Sequence, residues 1–433
     1  MNIRLYNARI LTMVRGRNVF RGEIWIKNDR IVSVRESGGP PLKPGQDYPK
    51  IHWDIEMDCG DNLLMPGFKN AHTHSAMTFL RSFADDVELK IWLEEKVFPM
   101  EAKLSWDDIY HLCRLAVLEY LTSGITSVFD MYLMPDAAAE ACMDTGMRCV
   151  LTSGLNRFTS SVEQQEAEYL KWNSRSPLVS YCLGFHSEYT CSKELLQGVA
   201  GLAHKFRAPV YTHLAETEKE VRECLDRYGM TPAVFLESMG VFDFGGGGYH
   251  CVHMTREDME VFGRHKMHVV TNPASNLKLA SGIAPIAEYR HRGIPVAIGT
   301  DGPASNNCLD MFREMFLVSG LSKVREKNAS SLDAEEVLRM ATVEGARAMG
   351  LADADILAPG KLADLILIDL HQPNMQPVHN IPKNLVYSGS KSNVRMTMVG
   401  GRILYRNGEF NVGESAEGIY AKCDRIVNRI LNT

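Results

Sequence analysis

Seven side chains able to bind a metal or transfer a proton occur where short apolar segments end. Each segment is predicted to be a β-strand, and in a closed barrel of parallel strands the reacting groups lie at the carboxyl ends of the strands. One histidine in such a place is usually a packed or solvated residue, but seven residues at equivalent places indicate a site. They are His72, His74, His186, His213, Glu216, His250 and Asp301.

Two of these histidines lie one residue apart, in the order His72, Thr73, His74. Residues i and i+2 of an extended strand face the same way, so both rings can reach one ion. Zinc and iron(II) prefer imidazole nitrogens with a carboxylate oxygen and keep one position for water. Adding His213 and Asp301 completes three imidazoles and one carboxylate. The sequence therefore predicts one divalent metal per chain on these four residues, with zinc favoured and iron as the alternative.

Groups for proton transfer accompany the predicted metal site. A bound divalent metal lowers the pKa of water toward neutrality, but hydrolysis also needs a proton for the leaving group. Glu216, three residues after His213 in HLAE, is a general acid–base candidate. His250 can hydrogen-bond the developing anion, and Asp301 can take the proton of the water. The alternative for Glu216 is an exposed carboxylate at the start of the next helix.

Helical and strand-like segments alternate from about residue 105 onward, beginning with a helix whose predicted N-cap is Ser105. Eight strands separated by helices are what a closed parallel (β/α)8 barrel requires. The alternative is an open doubly wound sheet, which more often carries a glycine-rich phosphate loop after its first strand. The glycine run 245–248 precedes a strand, so we expect a flexible connector there. The predicted strands are LLMPGFKNAHTH, ITSVFDMY, RCVLTSGL, VSYCLGFHS, PVYTHLAE, GYHCVHM, HVVTNPAS and PVAIGTDG.

The two ends of the chain differ from its middle. Residues 1–60 are predicted to be short strands and turns, and the same pattern returns after residue 359. This pattern is typical of small sheets with tight turns. We expect an α/β protein in which residues 61–358 form the (β/α)8 TIM barrel. Residues 1–60 and 359–433 are expected to form a small β-sandwich together.

Composition and charge limit the partners. The chain has 433 residues, and 45% of them are hydrophobic. Its net charge of −6 does not provide the excess of positive charge that nucleic acid binding requires. No apolar run approaches the roughly 20 residues that span a bilayer, and the N-terminus lacks the features of a signal peptide. The ten cysteines are scattered without C-x-x-C pairs, as in reduced cytoplasmic proteins. We expect a cytoplasmic protein that binds a small molecule, with homo-oligomerisation left open.

Seven segments follow one another in a specific order, namely LMPGFKNAHTHSAMT, HSEYTCS, THLAET, HCVH, NPASNLKLASGIAP, IGTDGPASNN and GKLADLILID. In order and spacing they resemble the amidohydrolase superfamily over nearly the whole chain. The sequence is most similar to the branch of 5-methylthioadenosine/S-adenosylhomocysteine deaminases, which is related to s-triazine hydrolases and guanine deaminases. This resemblance implies a mononuclear metal on His72, His74, His213 and Asp301, the same set that the residue types predict.

The resemblance also implies contacts with a substrate. Glu101 matches a carboxylate that binds a ribose diol, and a carboxylate can accept two hydroxyl protons. Trp92 matches an aromatic side chain beside the substrate, with core packing of a short helix as the alternative. His186 matches a histidine that contacts the purine.

The activity implied by the resemblance is hydrolytic deamination of an adenosine-like purine nucleoside. Glu216 and His250 match the groups that act at the leaving amine, and Glu216 and Asp301 are expected to contact the substrate. The candidate substrates are 5-methylthioadenosine, S-adenosylhomocysteine, 5′-deoxyadenosine and adenosine. The alternatives are a free purine base such as guanine, an s-triazine, or a non-catalytic scaffold, against which the complete set of ligands argues.

One segment departs from the family pattern. Where the deaminases that accept S-adenosylhomocysteine commonly have Thr-Arg-Gly, this chain has Thr152, Ser153 and Gly154. The arginine meets the amino-acid carboxylate, and serine cannot form that charge-assisted fork. Arg157 is the candidate substitute, with a solvated loop residue as the alternative. The departure favours substrates with a shorter 5′ group.

Overall fold

The computed structural model describes residues 1–38, 52–88 and 91–432, and its strands form two sheets. In chain order the described strands are β1 (Asn2–Ile10), β2 (Phe20–Lys27), β3 (Arg30–Glu36), β4 (Ile55–Asp58), β5 (Leu63–Pro66), β6 (Phe68–Thr73), β7 (Ile125–Tyr132), β8 (Arg148–Ser153), β9 (Val179–Ser187), β10 (Val210–Leu214), β11 (Gly246–His250), β12 (His268–Thr271), β13 (Val296–Ile298), β14 (Leu365–Ile368), β15 (Val394–Val399), β16 (Arg402–Arg406) and β17 (Glu409–Phe410).

Strands β6 to β13 form the barrel. They pair in sequence order, and every neighbouring pair is parallel. After β13 the chain returns to β6, where the backbone N–H of Asp301 donates to the carbonyl of His72 at 3.0 Å. All residues of β7 are buried, as expected for a strand covered on both faces. The predicted (β/α)8 barrel is confirmed.

Helices connect and cover the barrel strands. Within the described part of the chain the α-helices are Phe98–Glu101, Trp106–Thr122, Pro135–Thr145, Val162–Arg175, Lys193–Phe206, Glu218–Tyr228, Pro232–Ser238, Arg256–His265, Pro273–Lys278, Ile286–His291, Met311–Glu326, Ala334–Arg339, Gly345–Ala348, Ile381–Tyr387 and Ala416–Asn432. Tighter or wider helical turns span Ser75–Leu80, Trp92–Val97, Glu188–Thr190, Met340–Glu344, Ala352–Ala354, Pro373–Met375 and Lys391–Asn393. None of the helices in these described ranges is long and apolar enough to cross a membrane.

The first long helix begins where the sequence predicts. Ser105 caps Trp106–Thr122 by accepting a hydrogen bond from the Asp108 N–H at 3.3 Å, and the Asp108 carboxylate accepts one from the Ser105 N–H at 2.7 Å. This reciprocal pair is a capping box, which satisfies two N–H groups that the helix itself cannot. The helix ends before Gly124, whose φ of 74° suits glycine.

The other nine described strands form a second sheet. Strand β5 pairs parallel with β1 and antiparallel with β14, so strands from both ends of the chain share this sheet. The sheet has an apolar core of its own, which includes Ile3, Leu5, Ile24, Met396 and Met398. The expected contribution of both termini is confirmed, while the boundaries at residues 60 and 359 stay predictions.

The predicted first barrel strand, LLMPGFKNAHTH, is in fact two strands. Its first half is β5 of the terminal sheet, its second half is β6 of the barrel, and Gly67 lies between them. A Cβ atom at Gly67 would overlap the side chain of Thr126, so the chain can pass between the sheets only with glycine there. The residues on either side of Gly67 are apolar, so the sequence does not show where the chain leaves one sheet for the other.

The expectation that residues 245–248 form a flexible connector is wrong. Gly246, Gly247 and Gly248 are buried and belong to β11. A Cβ atom at Gly246 would overlap the Val210 carbonyl, and one at Gly248 would lie 2.6 Å from the Cys251 sulfur. Glycine is needed here because β11 approaches its neighbours too closely for side chains.

The C-terminal helix Ala416–Asn432 packs against the barrel helix Trp106–Thr122. Arg429 contacts the Asp108 carboxylate at 2.5 Å, and Lys103 donates to the Ile430 carbonyl at 3.0 Å. The last residues of the chain therefore contact the barrel, although they belong to the segment expected to form the sandwich.

Candidate active site

The barrel brings together the polar residues that end its strands. One ligand atom from each of His72, His213, His250 and Asp301 lies within 4.8 Å of the others, and all four residues are buried. They come from β6, β10, β11 and the loop after β13. No other such group of histidine, cysteine and acidic side chains occurs among residues 1–38, 52–88 and 91–432.

His74 belongs to the same cluster. Its Nε2 lies 3.2 Å from Oδ1 of Asp301, and Nε2 of His72 lies 3.4 Å from the same oxygen. Two ligands held about 2.0–2.2 Å from one tetrahedral ion lie about 3.3–3.6 Å apart, so these spacings suit a shared ion. Nε2 of His250 is 4.0 Å from Oδ2 of Asp301, which is wider than that spacing.

Three of the histidines are oriented through Nδ1. Nδ1 of His213 lies 2.7 Å from the His186 carbonyl, Nδ1 of His250 lies 2.7 Å from Oδ1 of Asn276, and Nδ1 of His74 meets a backbone carbonyl on β7. Because each acceptor takes a proton from Nδ1, Nε2 is the nitrogen that remains to bind an ion, and it is directed into the cluster. This is the tautomer that a metal-binding histidine needs.

His72 has buried nitrogens that fit a metal ligand. Its ring stacks on Tyr249 at 3.8 Å, and neither ring nitrogen has a hydrogen-bond partner among the described residues. Nε2 faces Asp301 but is too poorly aligned for a hydrogen bond. Since an unpaired buried polar atom is costly, a cation between Nε2 and the carboxylate would satisfy both groups.

The Asp301 carboxylate is shared between two sets of partners. Its Oδ2 accepts hydrogen bonds from Ser275 at 2.6 Å and Ser305 at 2.8 Å, which leaves Oδ1 facing the imidazoles of His72 and His74. Burial opposes ionisation, but contacts from His72 and His74 outweigh it and hold the pKa of Asp301 well below its usual range. Asp301 is therefore an anion suited to a cation.

Burial and neighbouring charge act in opposite directions on the histidines. Burial lowers the pKa of His72 to about 3 and that of His186 to about 4. For His74 burial acts in the same direction, but the Asp301 carboxylate overcomes it and raises the pKa to about 9. His72 and His186 are thus neutral imidazoles, whereas His74 shares a proton with the ionised Asp301 carboxylate, and a metal ion binding there would displace that proton.

Glu216 lies beside this cluster. Its Oε1 accepts a hydrogen bond from Ser281 at 3.2 Å, and its Oε2 is 3.9 Å from Nε2 of His250. Glu216 is only 8% exposed, so the alternative of a solvated carboxylate at the helix start does not hold. Glu216 and His250 can both reach a substrate atom at this end of the barrel.

The backbone is strained where the site residues turn out of the strands. His250, Cys251 and Asp301 have φ values of 69°, 48° and 58°, and Ala215 before Glu216 has 48°. Non-glycine residues rarely occupy this left-handed region, and those that do cluster at functional sites.

Two of the residues matched to a purine nucleoside lie at the same end of the barrel. The His186 ring lies 4.8 Å from the His213 ring, and Nδ1 of His186 contacts the Thr190 hydroxyl at 3.2 Å. Glu101 is half-buried, and burial raises its pKa to about 7 although Tyr132 and His74 lower it. Trp92 is buried in the main apolar core, which agrees both with core packing and with a place beside a bound substrate.

Arg157 is not drawn into the cluster. It is exposed, and its guanidinium donates to the carbonyls of Tyr189 at 2.9 Å and Thr190 at 3.2 Å. Ser153 is buried at the end of β8. The guanidinium is therefore occupied by the turn that follows β9.

Several residues that orient the site have no role predicted from the sequence. Ser275 and Asn276 hold Asp301 and His250, Ser281 holds Glu216, and Glu220 accepts hydrogen bonds from the backbone beside Glu216. Ser275, Asn276 and Ser281 all lie in NPASNLKLASGIAP, one of the segments that carry the resemblance. Their polarity next to a buried strand was the available signal.

Known proteins match this chain in sequence and in fold. The sequence model of a protein family, described as "Amidohydrolase family", matches residues 63–404. A 5-methylthioadenosine/S-adenosylhomocysteine deaminase of Desulfitobacterium hafniense is 42% identical over 406 residues, covering 92% of each chain. A 5′-deoxyadenosine deaminase of Methanothermobacter thermautotrophicus is 39% identical over 91% of each chain. Among solved structures, an adenosine deaminase from Xanthomonas campestris with bound zinc superposes with a TM-score of 0.92 and is 29% identical in sequence. The match covers 100% of this chain and 98% of that chain.

Proposed function

This chain belongs to the amidohydrolase family, and we propose that it is a metal-dependent aminohydrolase that removes the exocyclic amine of an adenosine-like nucleoside. The products are an inosine-type nucleoside and ammonia. The observation that carries the proposal is the convergence of the imidazoles of His72, His74 and His213 with the Asp301 carboxylate, beside the pair Glu216 and His250. Relatives that match nearly the whole chain are named as deaminases of such nucleosides.

The proposed ligands of the divalent metal are His72, His74, His213 and Asp301. The spacing of Nε2 of His72 and His74 from Oδ1 of Asp301 supports this set, as does the Nδ1 contact that orients His213. When bound, the metal supplies Lewis-acid activation of water. Zinc is proposed over iron because zinc has no geometric preference of its own, so that a water could be held beside imidazole and carboxylate ligands.

The protein side chains perform the proton transfers. Asp301 and His250 are proposed to orient the attacking water and accept its proton, because Nε2 of His250 lies 4.0 Å from Oδ2 of Asp301, so that one water could contact both groups. Glu216 donates a proton to the purine ring nitrogen next to that carbon, and Ser281 holds the other carboxylate oxygen. The oxygen of the water bonds to the carbon and the carbon–amine bond breaks; one water proton leaves with the amine as ammonia, and the other replaces the proton that Glu216 gave to the ring nitrogen.

Glu101, His186 and Trp92 are proposed to bind the rest of the nucleoside. An ionised Glu101 can accept hydrogen bonds from both ribose hydroxyls, and its position near His74 supports this role. His186 lies beside the His213 ring, where it can donate to a purine nitrogen. Trp92 would present an indole face to the substrate.

A short 5′ group is proposed for the preferred substrate. Ser153 offers a hydroxyl where an arginine would be needed for an amino-acid carboxylate, and the Arg157 guanidinium already donates to two backbone carbonyls. We therefore propose 5′-deoxyadenosine and 5-methylthioadenosine as better substrates than S-adenosylhomocysteine. A homo-oligomer and a cytoplasmic location stay predictions.

The test is ammonia release by metal-loaded protein from six amines: 5-methylthioadenosine, S-adenosylhomocysteine, 5′-deoxyadenosine, adenosine, guanine and melamine. We expect the highest kcat/KM with a nucleoside that lacks the homocysteine carboxylate. Release of ammonia from guanine or melamine but from no nucleoside would refute the proposed substrate class. Release from none of the six would refute the reaction.

A further inference from the structure

Glu220 is a buried carboxylate with an unusual set of partners. It is the third residue after the N-cap Thr217 of helix Glu218–Tyr228, and its N–H donates to the Thr217 hydroxyl at 3.1 Å. In a capping box its carboxylate would return to the N-cap N–H. Here it reaches further back along the chain and accepts from the Ala215 N–H at 2.7 Å and the Glu216 N–H at 2.8 Å.

The N–H groups of Ala215 and Glu216 use the Glu220 carboxylate as their hydrogen-bond acceptor. They follow the last residue of β10, and the left-handed backbone at Ala215 turns them in one direction. Consecutive N–H groups arranged in this way form a small anion-binding concavity. Because both residues are buried, losing the carboxylate would leave two donors unpaired, which is costly inside a protein.

The same turn is linked to the strand that carries His250. The Ala215 carbonyl accepts hydrogen bonds from the Val252 N–H at 3.0 Å and the His253 N–H at 2.9 Å. Glu216 is thus fixed through its backbone on one side, and through Ser281 at its carboxylate on the other. A shift of the Ala215 turn would move Glu216 relative to His250.

We propose that Glu220 is a positioning residue that fixes the Glu216 carboxylate for proton delivery to the substrate, an inference that rests on the proposed function. Glu220 acts through the backbone of Ala215 and Glu216 and does not touch the substrate. The metal ligands are held by other contacts, through Nδ1 of His213 and the serines on Asp301. Removing Glu220 therefore impairs catalysis without emptying the metal site.

The first test is the kinetics of E220Q in metal-loaded protein, with 5′-deoxyadenosine as substrate. The carboxamide oxygen can accept from one N–H, but its NH2 group faces the other, so the turn is displaced. We expect kcat to fall about 10- to 100-fold, as for other misplaced catalytic groups, with KM changed less than threefold. E218Q is the matched control, because Glu218 is exposed in the same first helical turn, and it should leave kcat unchanged.

A double-mutant cycle separates positioning from general support of the fold. If Glu220 acts through Glu216, then E220Q introduced into E216Q lowers kcat less than twofold further. An equal loss of kcat in both backgrounds would overturn the proposal. A loss of kcat that is matched by loss of bound metal would also overturn it.

Hydrogen exchange tests the geometry without reference to activity. The amides of Ala215 and Glu216 should exchange slowly in the wild type and in E218Q, and at least tenfold faster in E220Q. Unchanged exchange in E220Q would overturn the proposal. If the wild type hydrolyses guanine or melamine but no nucleoside, the proposed function fails, and the same cycle on that substrate still decides the role of Glu220.

Discussion

The hydrogen bond between Asn276 and His250 offers a sharp test of how the site is oriented. Oδ1 of Asn276 lies 2.7 Å from Nδ1 of His250, and both residues are almost fully buried. In Asn276→Leu the side chain keeps about the same volume but offers no acceptor. Nδ1 of His250 would then be a buried, unpaired donor, or the ring would shift its proton to Nε2.

The cost follows from the burial. An unsatisfied buried polar group costs about 1–3 kcal/mol, and about 1.4 kcal/mol corresponds to a tenfold change in rate. If this cost falls on the transition state, kcat decreases about 5- to 150-fold. Asn276→Asp keeps the acceptor and should retain more activity at high pH, because a carboxylate can still accept from Nδ1.

The assay is steady-state ammonia release with metal content measured on the same samples. Leu277→Ala is the control for the helix Pro273–Lys278, since Leu277 is 43% exposed, and it should change kcat less than twofold. A kcat for Asn276→Leu within twofold of wild type would refute the claim that this contact orients His250. So would a loss of activity explained entirely by lost metal.

Further predictions concern the fold and the pH profile. Gly247→Ala should lower the free energy of unfolding by about 1–3 kcal/mol in thermal melts, because a Cβ atom there overlaps a tyrosine ring, whereas Gly263→Ala has open space and should be neutral or stabilising. Asp364→Asn should cost about 3–5 kcal/mol by denaturant unfolding, because it strands the buried Arg148. Burial opposes ionisation of Asp364, but Arg148 outweighs it and lowers the pKa, so the stability it contributes should be present above about pH 4 and be lost as the pH falls further. Burial raises the pKa of Glu101 to about 7, so kcat/KM for the nucleoside should rise with pH through about 7 as the carboxylate ionises. Glu101→Gln should remove this limb and raise KM at least tenfold; an unchanged pH profile would exclude the diol-binding role.

The barrel and the cluster were predictable because both leave a direct pattern in the sequence. Apolar strands alternate with helices, and residues able to bind a metal, such as His213 and Asp301, come at or just after the strand ends. In a parallel barrel those ends meet at one face. The spacing of His72 and His74, at the end of one strand and just after it, added the local geometry of a shared ion.

The details that were missed depend on contacts between distant segments. The glycine run of β11 resembles a linker until its closeness to Val210 and Tyr211 is known. The division of the first apolar segment at Gly67 depends on which sheet each half pairs with. Asn276 and Glu220 have ordinary residue types for a loop and a helix start, and only the folded chain shows which site group each one holds.

The most direct measurement is the rate of ammonia release from 5′-deoxyadenosine as a function of metal bound per chain. Protein stripped by a chelator should be inactive, and activity should rise in proportion to added zinc up to one ion per chain. His72→Ala, which removes a proposed ligand, should lose both the ion and the activity. Protein with one ion per chain that releases no ammonia from this or any other adenosine-like nucleoside would contradict the account.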